Sequence, residues 1–593
     1  MSQAMKSSTL SMGRAPGQPR SQSGPVSRGS RKQHSGIHRA WPMRAGKVEV
    51  DMETSGLRAG LSEEAKDRIL NGKINPQEKM KLAKCGTTSW TEIYELADLL
   101  RKGESTWEEL NVDDLDHRAK WNGIFHRRKK TPGQCMIRFR VPGQVLTSEQ
   151  MRAFGECIET YGEAGDEVPS TKGCGDITTR ANIQLRGIPV EDTVVIMDKM
   201  MALGITAKQS GMDNVRNITG SPIAGIDPHE LIDPTQLCID LQNMITDFGK
   251  GNMDLSNLPR KFNIAISPSR DDFPHCHIND LAFQAINNPA GETVFNVWLG
   301  GLFSAQRNEV SVNGQMSVTA EQIVPFSKAL LELFRDNGKR EVRQKTRLMY
   351  MIDEWGVEKL KAEIEAKIGE SIAPAVPEEF DEHWERRDVL GVHKQKQEGF
   401  SWVGLSVPVG RLSSSDFKDL AALAENYGNS TLRVTVDENV IIPFVKHEDV
   451  DALMAEPICQ KFSPVPGPLE RGLVSCTGSQ FCGFALVETK MRAIRLARLL
   501  EAELDIPKPV RIHWTGCPNS CGQAQVGDIG LMGAPAKLDG KAVEGVKVFL
   551  GGTIGEEAKL AALVDKTAVP AADEYLVPYL KTLLIEKFGA SPK

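Results

Sequence analysis

The sequence predicts a fold of the α+β or mixed α/β class that contains an internal pseudo-two-fold repeat. Its 593 residues, 40% hydrophobic and 25% charged, are more than a single hydrophobic core commonly serves, so several compact units are expected. The segment VPGQVLTSEQMRAFGECIETYG from Val141 aligns without a gap with VPVGRLSSSDFKDLAALAENYG from Val407. Strand and helix patterns alternate in both copies, which indicates two equivalent half-units, each followed by a larger α/β segment.

The elements before the repeat are predicted to be helices. Apolar residues recur every three or four positions over residues 58–112, and Ser62 provides a start signal. Residues 126–134 are typical of a loop, and strand alternation takes over in residues 135–142.

Each copy of the repeat is followed by the same two predicted elements. An arginine-led strand comes first, with Arg180 in the first copy and Arg433 in the second. A short apolar helix then closes the half-unit, at residues 193–200 and 450–454.

The N-terminal segment differs in composition from the rest of the chain. No acidic residue precedes Glu49, whereas nine lysines and arginines do, among many Ser, Gly and Pro residues. Such termini are typical of organelle transit peptides, with a disordered tail or a nucleic-acid-binding arm as the alternatives. Without those nine charges the formal net charge falls from −6 to −15, so the acidic body is not expected to bind nucleic acid.

The sequence contains neither a membrane-spanning segment nor a nucleotide-binding motif. No apolar run approaches the roughly 18 residues of a membrane span. Neither the glycine-rich dinucleotide fingerprint nor a phosphate-binding loop occurs, so a redox enzyme with this sequence would receive electrons from another protein.

Four cysteines form the strongest local signal. Cys476 and Cys482 are separated by five residues, and Cys517 and Cys521 by three, with Gly and Pro around all four. Neither pair has the tight knuckle spacing of structural zinc sites, so the pattern favours an iron–sulfur cubane over zinc or unliganded thiols. A helix starting just after Cys482 is expected to direct its positive end toward the cluster. The seven other cysteines are expected to be reduced, buried thiols.

Basic residues are concentrated on several predicted strands and adjoining loops. Any one of them is most simply a solvated or ion-paired side chain, but together they suggest a cavity for a polyanionic cofactor and an anionic substrate. The set comprises Arg138, Arg140, Arg180, Arg216, Arg260, Lys261, the neighbouring Asn263, and the segment that ends at Arg347.

These motifs together resemble the siroheme nitrite/sulfite reductase family, and most closely its plastid ferredoxin–nitrite reductases. The resemblance rests on the cysteine quartet with TGCPNSCG (515–522), on LPRKFN (258–263), on SPIAGIDPHE from Ser221, and on the two-fold repeat. It covers about residues 60–590 and implies a three-domain siroheme reductase architecture.

The resemblance also implies cofactors and residue roles. One [4Fe–4S] cluster would be bound by Cys476, Cys482, Cys517 and Cys521, with Cys521 also ligating the siroheme iron. Siroheme would contact Arg180, Gln184, Arg260 and Arg347, and the substrate would meet Arg138, Arg216, Lys261 and Asn263. The implied reaction is the six-electron reduction of nitrite to ammonia in nitrate assimilation.

Two alternatives to this reaction stay open. Ferredoxin–sulfite reductases typically have a lysine at the position of Asn263, so the asparagine favours nitrite over sulfite. A zinc-stabilised binding scaffold without catalytic function is the alternative from another class.

The expected partner is reduced ferredoxin, with a plastid stroma location and a monomeric state. Ferredoxins are generally acidic, so residues 126–130 and 337–345 are candidate docking patches, unless both are ordinary solvated charge runs.

The expected domain organisation has six segments. They are a disordered transit peptide (1–48), a helical N-terminal extension (49–130), the first half of a paired ferredoxin-like repeat domain (131–205), a siroheme- and substrate-binding α/β domain (206–395), the second half of the repeat domain (396–460) and an iron–sulfur/siroheme α/β domain (461–593).

Overall fold

The computed structural model describes residues 55–162, 173–378, 385–555 and 557–593, so the expected transit peptide lies outside the described residues. The described chain begins with the predicted helices: α1 (Glu63–Asn71), α2 (Pro76–Ala83) and α3 (Ser89–Arg101). The Ser62 side chain accepts a hydrogen bond from the Ala65 amide at 3.2 Å, which confirms the start signal.

The first half-unit contributes four strands to one five-stranded sheet, with helices packed on it. Its elements are β1 (Ile124–Arg127), β2 (Thr131–Arg138), β3 (Val145–Thr147), α4 (Ser148–Tyr161), β4 (Cys174–Ile177), β5 (Ile183–Pro189) and α5 (Thr193–Ala202). β1 and β2 form an antiparallel hairpin across residues 126–134, where the sequence pattern predicts only a loop. Arg180 lies between β4 and β5 and not on a strand, because the chain turns there toward the interior.

The segment that follows forms a second sheet with three helices. Its elements are α6 (Thr235–Thr246), β6 (Ile264–Ser267), β7 (Leu281–Asn287), β8 (Thr293–Leu299), β9 (Leu302–Phe303), β10 (Asn308–Glu309), β11 (Val312–Val318), α7 (Ile323–Asn337), α8 (Leu348–Ile368) and β12 (Ala373–Pro374). The strand order is β12-β11-β8-β7-β6, with β6 and β7 parallel. We refer to this segment as the central unit.

The second half-unit repeats the topology of the first. Its elements are β13 (Gly391–Lys394), β14 (Phe400–Leu405), β15 (Arg411–Leu412), α9 (Ser414–Tyr427), β16 (Thr431–Val434), β17 (Val440–Lys446), α10 (Val450–Met454) and α11 (Pro457–Lys461). The two half-units exchange strands, because β3 pairs with β16 while β15 pairs with β4. Each sheet therefore contains one strand from the other half of the repeat.

The repeated sequence explains why α4 and α9 begin where they do. Thr147 and Ser413, which are equivalent in the alignment, each cap their helix in a capping box, with Gln150 and Asp416 as reciprocal partners. The helices pack against each other closely, because a Cβ at Gly155 would lie 2.7 Å from the Ser414 carbonyl oxygen.

The C-terminal part forms a third mixed sheet. Its elements are β18 (Leu473–Ser475), α12 (Gly478–Phe481), α13 (Lys490–Glu503), β19 (Leu504–Asp505), β20 (Ile512–Thr515), β21 (Ile529–Leu538), β22 (Lys541–Leu550), β23 (Ala562–Leu563), β24 (Val569–Pro570), α14 (Asp573–Phe588) and β25 (Ser591–Pro592). We refer to this part as the C-terminal unit. Its long helix begins only at Lys490, so the prediction of a helix starting just after Cys482 is wrong. The N-cap residue of this helix, Thr489, donates to the Cys476 carbonyl oxygen.

The central and C-terminal units repeat each other as well. Three elements of the central unit recur 248 residues later in the C-terminal unit. β6 corresponds to β20, the helical turn Cys276–Ile278 corresponds to the turn Ala524–Val526, and β7 corresponds to β21. The described chain is therefore a double repeat of mixed α and β structure, which confirms the predicted fold class. No helix among the described residues is both long and apolar enough to cross a membrane.

Candidate active site

One cavity receives side chains from both half-units, the central unit and the C-terminal unit. It encloses about 1830 Å³ of empty space, part of which is open to solvent. Eleven predicted site residues line it: Arg138, Arg180, Gln184, Arg216, Lys261, Asn263, Arg347, Cys476, Cys482, Cys517 and Cys521.

The four cysteines form one wall of this cavity. All are free thiols, and each is close enough to the other three to influence their ionisation electrostatically. The Gly516 amide donates to Cys476 Sγ at 3.1 Å, and Asn519 Nδ2 donates to Cys517 Sγ at 3.6 Å. Within the described ranges no three metal-ligating side chains are placed to hold a single metal ion. The four thiols therefore line one wall, but no three of them are placed to bind a single ion.

The turn that carries Cys521 has a constrained backbone. Ser520 and Gln523 adopt left-handed conformations, with φ of 50° and 57°. A Cβ at Gly522 would lie 2.2 Å from the Trp514 carbonyl oxygen, so only glycine fits between them. Thr179 Oγ1 donates to the Cys521 carbonyl oxygen at 2.9 Å, which ties this turn to the first half-unit. These contacts direct the exposed Cys521 thiol into the cavity.

Arg138 and Arg216 lie together and form a cationic wall of the cavity. Both donate to the Ser210 carbonyl oxygen, and the Arg138 guanidinium also lies 4.6 Å from the centre of the Phe125 ring. Burial lowers the pKa of Arg138 to about 10 and that of Arg216 far below its ordinary value, and their mutual repulsion lowers the latter further. Neither guanidinium has a carboxylate partner within hydrogen-bond distance among the described residues, so this wall presents uncompensated positive charge.

Lys261 lies on the same cationic wall. Burial lowers the pKa of Lys261 to about 7, and Arg347 lowers it further, while the Cys521 thiol opposes the shift. An ammonium with this pKa exchanges its proton near neutral pH, which suits a general acid.

A buried carboxylate positions the neighbouring residues. Asp280 binds the Arg347 guanidinium through two hydrogen bonds of 2.9 and 2.6 Å, and accepts from the Asn263 amide at 2.9 Å. Arg180 donates to Asn279 Oδ1 at 2.8 Å and reaches Asn263 Oδ1 at 3.4 Å. The three cavity side chains Arg180, Asn263 and Arg347 are thus held as a unit.

Gln184 belongs to a buried polar network. Its Oε1 accepts from Arg186 at 2.7 Å, and Arg186 in turn pairs with the buried Asp176. Asp176 also binds Arg411 of the second half-unit at 2.5 Å, and these arginines hold the pKa of its carboxyl far below the ordinary range. The network joins the two half-units and fixes Gln184 in the cavity wall.

Sequence reasoning missed several residues that line the cavity. They are Arg127, Asp176, Asn182, Arg186, Glu438, Lys490, Asn519 and Gln523. Two of them, Asn519 and Gln523, could have been identified from the sequence, because each lies two residues from Cys521.

Two members of the predicted cationic set lie elsewhere. Arg260 is absent from the cavity lining and faces Arg343 and Asp213 instead. Arg140 is completely buried and donates to the carbonyl oxygens of Val215 and Arg216 at 2.9 Å each, so it is a structural clamp for that segment. The seven cysteines outside the quartet are buried free thiols, as predicted.

Comparisons with known proteins give consistent results. Two family models match: "Nitrite and sulphite reductase 4Fe-4S domain" at residues 211–372 and 467–585, and "Nitrite/Sulfite reductase ferredoxin-like half domain" at residues 126–203 and 393–458. The chain is 49% identical to the ferredoxin–nitrite reductase of Synechococcus elongatus, over 88% of this chain and 98% of that protein. It is 47% identical to the chloroplastic ferredoxin–nitrite reductase of Zea mays, over 88% of this chain and 90% of that protein.

A solved structure shares the fold. The NirA protein of Mycobacterium tuberculosis superposes with a TM-score of 0.75 at 26% identity, covering 87% of this chain and 94% of that one.

Proposed function

This chain belongs to the nitrite and sulphite reductase family, and we propose that it is an oxidoreductase that reduces nitrite to ammonia with electrons from ferredoxin. One observation carries the proposal: the cysteine quartet lines the same cavity as Arg138 and Arg216, which have no carboxylate in hydrogen-bond contact among the described residues. A cluster held by the thiols and an anion held by the arginines would therefore lie in one place.

The residues present fit a [4Fe–4S] cluster and a siroheme. Cys476, Cys482, Cys517 and Cys521 would hold the cluster, and the exposed Cys521 would also ligate the siroheme iron. Arg180, Gln184 and Arg347 line the cavity where the carboxylates of siroheme need cationic and amide partners, whereas Arg260 would act only from behind them. When bound, these groups supply single electrons and an iron at which nitrogen is reduced.

Other cavity residues would bind the substrate and supply protons. Arg138 and Arg216 would neutralise nitrite and orient its oxygens, since neither guanidinium is neutralised by a carboxylate in hydrogen-bond contact. Lys261 would donate protons to the departing oxygens, because its pKa of about 7 makes it a far better acid than arginine. Asn263, fixed by Arg180 and Asp280, would add a neutral hydrogen-bonding group.

Asn263 also bears on the choice between nitrite and sulfite. A lysine there would be the fourth positive charge beside the substrate and the second lysine, which suits a dianion better than singly charged nitrite. The neutral asparagine and the ferredoxin–nitrite reductases among the relatives favour nitrite.

The surface beside Cys482 is the better candidate for ferredoxin docking. Phe484 is 63% exposed, and Arg127 lies 5.5 Å from the centre of its ring, followed by the exposed Lys129 and Lys130. By contrast, most of the basic side chains in the other candidate patch, residues 337–345, are ion-paired: Lys339 binds Glu354 at 3.0 Å, Arg340 binds Glu78 at 2.7 Å and Arg343 binds Asp213 at 2.6 Å. An acidic ferredoxin would therefore bind the first patch, close to the cluster wall.

The cellular location is a separate part of the proposal. Relatives from plants are named chloroplastic, and the nine basic residues before Glu49 are typical of an organelle transit peptide. We therefore place the protein in a plastid; microscopy of the full-length chain fused to a fluorescent protein tests this.

The decisive experiment measures turnover of nitrite and of sulfite side by side with reduced ferredoxin. We expect a coloured holoenzyme with siroheme bands, about four non-haem irons per chain and faster turnover of nitrite. Faster turnover of sulfite than of nitrite would make sulfite the substrate. A colourless protein that contains zinc would overturn the assignment as an enzyme. Raising the salt concentration should weaken ferredoxin binding.

A further inference from the structure

The ring of Phe125, on β1, lies beside the cationic wall of the cavity. Phe125 is 8% exposed and lines the cavity together with Arg138. The Arg138 guanidinium lies over this ring, 4.6 Å from its centre, and the Arg127 guanidinium lies 6.0 Å from the same centre. Both distances are within the range at which the face of an aromatic ring attracts a cation. Two guanidinium groups therefore share one ring.

The tip of the ring packs against the segment that holds the wall. A Cβ at Gly211 would lie 2.8 Å from Phe125 Cζ, so a side chain there would collide with the ring. The carbonyl oxygen of the preceding Ser210 accepts a hydrogen bond from Arg138 at 3.1 Å and another from Arg216. Phe125 thus contacts Arg138 directly and also supports the backbone to which both arginines are bound.

Buried arginines elsewhere in the protein are held by carboxylates. Arg340 binds Glu78 at 2.7 Å, and Arg411 binds Asp176 at 2.5 Å. A carboxylate beside Arg138 would cancel the positive charge that an anionic substrate needs. An aromatic ring has no net charge, yet the negative potential of its face still attracts a guanidinium. The ring can therefore hold the cation without neutralising it.

We propose that Phe125 is a positioning residue for nitrite, because its ring orients the Arg138 guanidinium and leaves the positive charge available to the substrate. The inference rests on the proposed function, since nitrite is the anion that it assigns. Phe125 precedes residue 126, where the first match to a family model begins, so the match does not include it.

This role predicts an effect on anions but not on neutral ligands. Without the ring, the guanidinium loses an attraction that fixes its direction, so an anion must order it on binding. A neutral diatomic molecule in the same place gains little from the charge of Arg138. Nitrite affinity should therefore fall while carbon monoxide affinity stays the same.

The test uses the loaded holoenzyme and two changes at position 125. Phe125→Met removes the ring but keeps most of the apolar volume. Incorporation of a phenylalanine with two meta fluorines keeps the shape of the ring but weakens the negative potential of its face. The matched control is the same fluorinated residue at position 139, because the Phe139 ring is buried and packs 5.2 Å from the ring of Phe154.

Binding is followed by visible absorption, with nitrite added to the oxidised protein and carbon monoxide to the reduced protein. We expect Phe125→Met to raise the nitrite Kd about five- to tenfold, and fluorination at position 125 to raise it about two- to threefold. The carbon monoxide Kd should not change in either protein, and the fluorinated residue at position 139 should change neither Kd. In an Arg138→Gln background, Phe125→Met should have no further effect on the nitrite Kd.

The outcomes separate the two proposals. A wild-type nitrite Kd in Phe125→Met overturns the positioning role. Equal losses of nitrite and carbon monoxide affinity also overturn it, because the ring would then only shape the cavity. If Phe125→Met does not fold or lacks its cofactors, the fluorinated protein decides, and an unchanged nitrite Kd there overturns the role. A wild-type holoenzyme that does not bind or reduce nitrite overturns the proposed function, and this inference with it.

Discussion

His275 and Gln523 occupy equivalent positions in the central and C-terminal units, and their side chains meet in a hydrogen bond of 3.1 Å between Nδ1 and Oε1. Both residues adopt a left-handed backbone with φ of 57°. Gln523 also donates to the Thr179 carbonyl oxygen at 3.3 Å, and Thr179 donates to the Cys521 carbonyl oxygen. The pseudo-symmetric pair thereby supports the turn that carries Cys521.

Removing either side chain should loosen this turn. We expect His275→Leu and Gln523→Leu each to lower the Tm of the holoenzyme by about 1–3 °C, since each leaves a buried partner unsatisfied. The double variant should lose less than the sum of the two, because neither side chain of the His275–Gln523 hydrogen bond is then left without its partner. Differential scanning calorimetry measures this, and strictly additive shifts would show that the pair is not coupled.

Substitution of Lys261 should change both the rate and its pH dependence. As a general acid it must be protonated, so kcat should decline above about pH 7, with bound anions moving the decline upward. Lys261→Met should reduce kcat by about 10²–10⁴-fold below pH 7 and by less at higher pH, where the wild-type lysine has lost its proton. Lys261→Arg keeps the charge and should preserve nitrite affinity while kcat stays low; recovery of kcat in this variant would assign Lys261 a purely electrostatic role.

The buried pair of Asp280 and Arg347 should dominate local stability. Asp280→Ala leaves Arg347 as an uncompensated buried charge and should cost about 3–5 kcal/mol, seen as a loss of thermal stability and of siroheme content. The matched control is Asp353→Ala, which removes an exposed partner of Arg307 and should cost at most about 1 kcal/mol. Similar losses in both variants would contradict this account.

Loss of Cys521 should affect two cofactors, whereas loss of a cysteine outside the quartet should affect neither. We expect Cys521→Ser to lose the coupling between cluster and siroheme as well as cluster iron, measured by visible spectra with iron and sulfide analysis. Cys459→Ala, at a buried thiol that does not line the cavity, should retain both groups. A Cys521→Ser protein with a normal siroheme spectrum would remove this residue from the siroheme site.

Much of the fold and of the site follows from local sequence. The alignment at Thr147 and Ser413 predicts two equivalent helices, because capping boxes are encoded within four residues. Local motifs also identify residues of the site by their chemistry, namely the four cysteines, Arg138, Arg216 and Lys261. All of these residues line the one cavity.

The remainder depends on tertiary contacts that leave no local pattern. The 248-residue repeat is not marked by the cysteine motif, because Phe273 stands at the position equivalent to Cys521. Arg140 and Arg216 look alike in sequence, yet one is a structural clamp and the other lines the cavity. Only the packing around each guanidinium distinguishes them.

The exchange of β3 and β15 between the half-units has a consequence for folding kinetics. Arg411 of β15 binds Asp176 of β4 across 235 residues of sequence, so the first sheet is incomplete until the chain has been made well past its middle. Contacts of such long range close slowly and leave β4 as an open edge in the meantime. A ribosome-bound chain that ends before residue 411 should therefore remain sensitive to protease and bind chaperones. The nascent first half can reach its native sheet only together with the second.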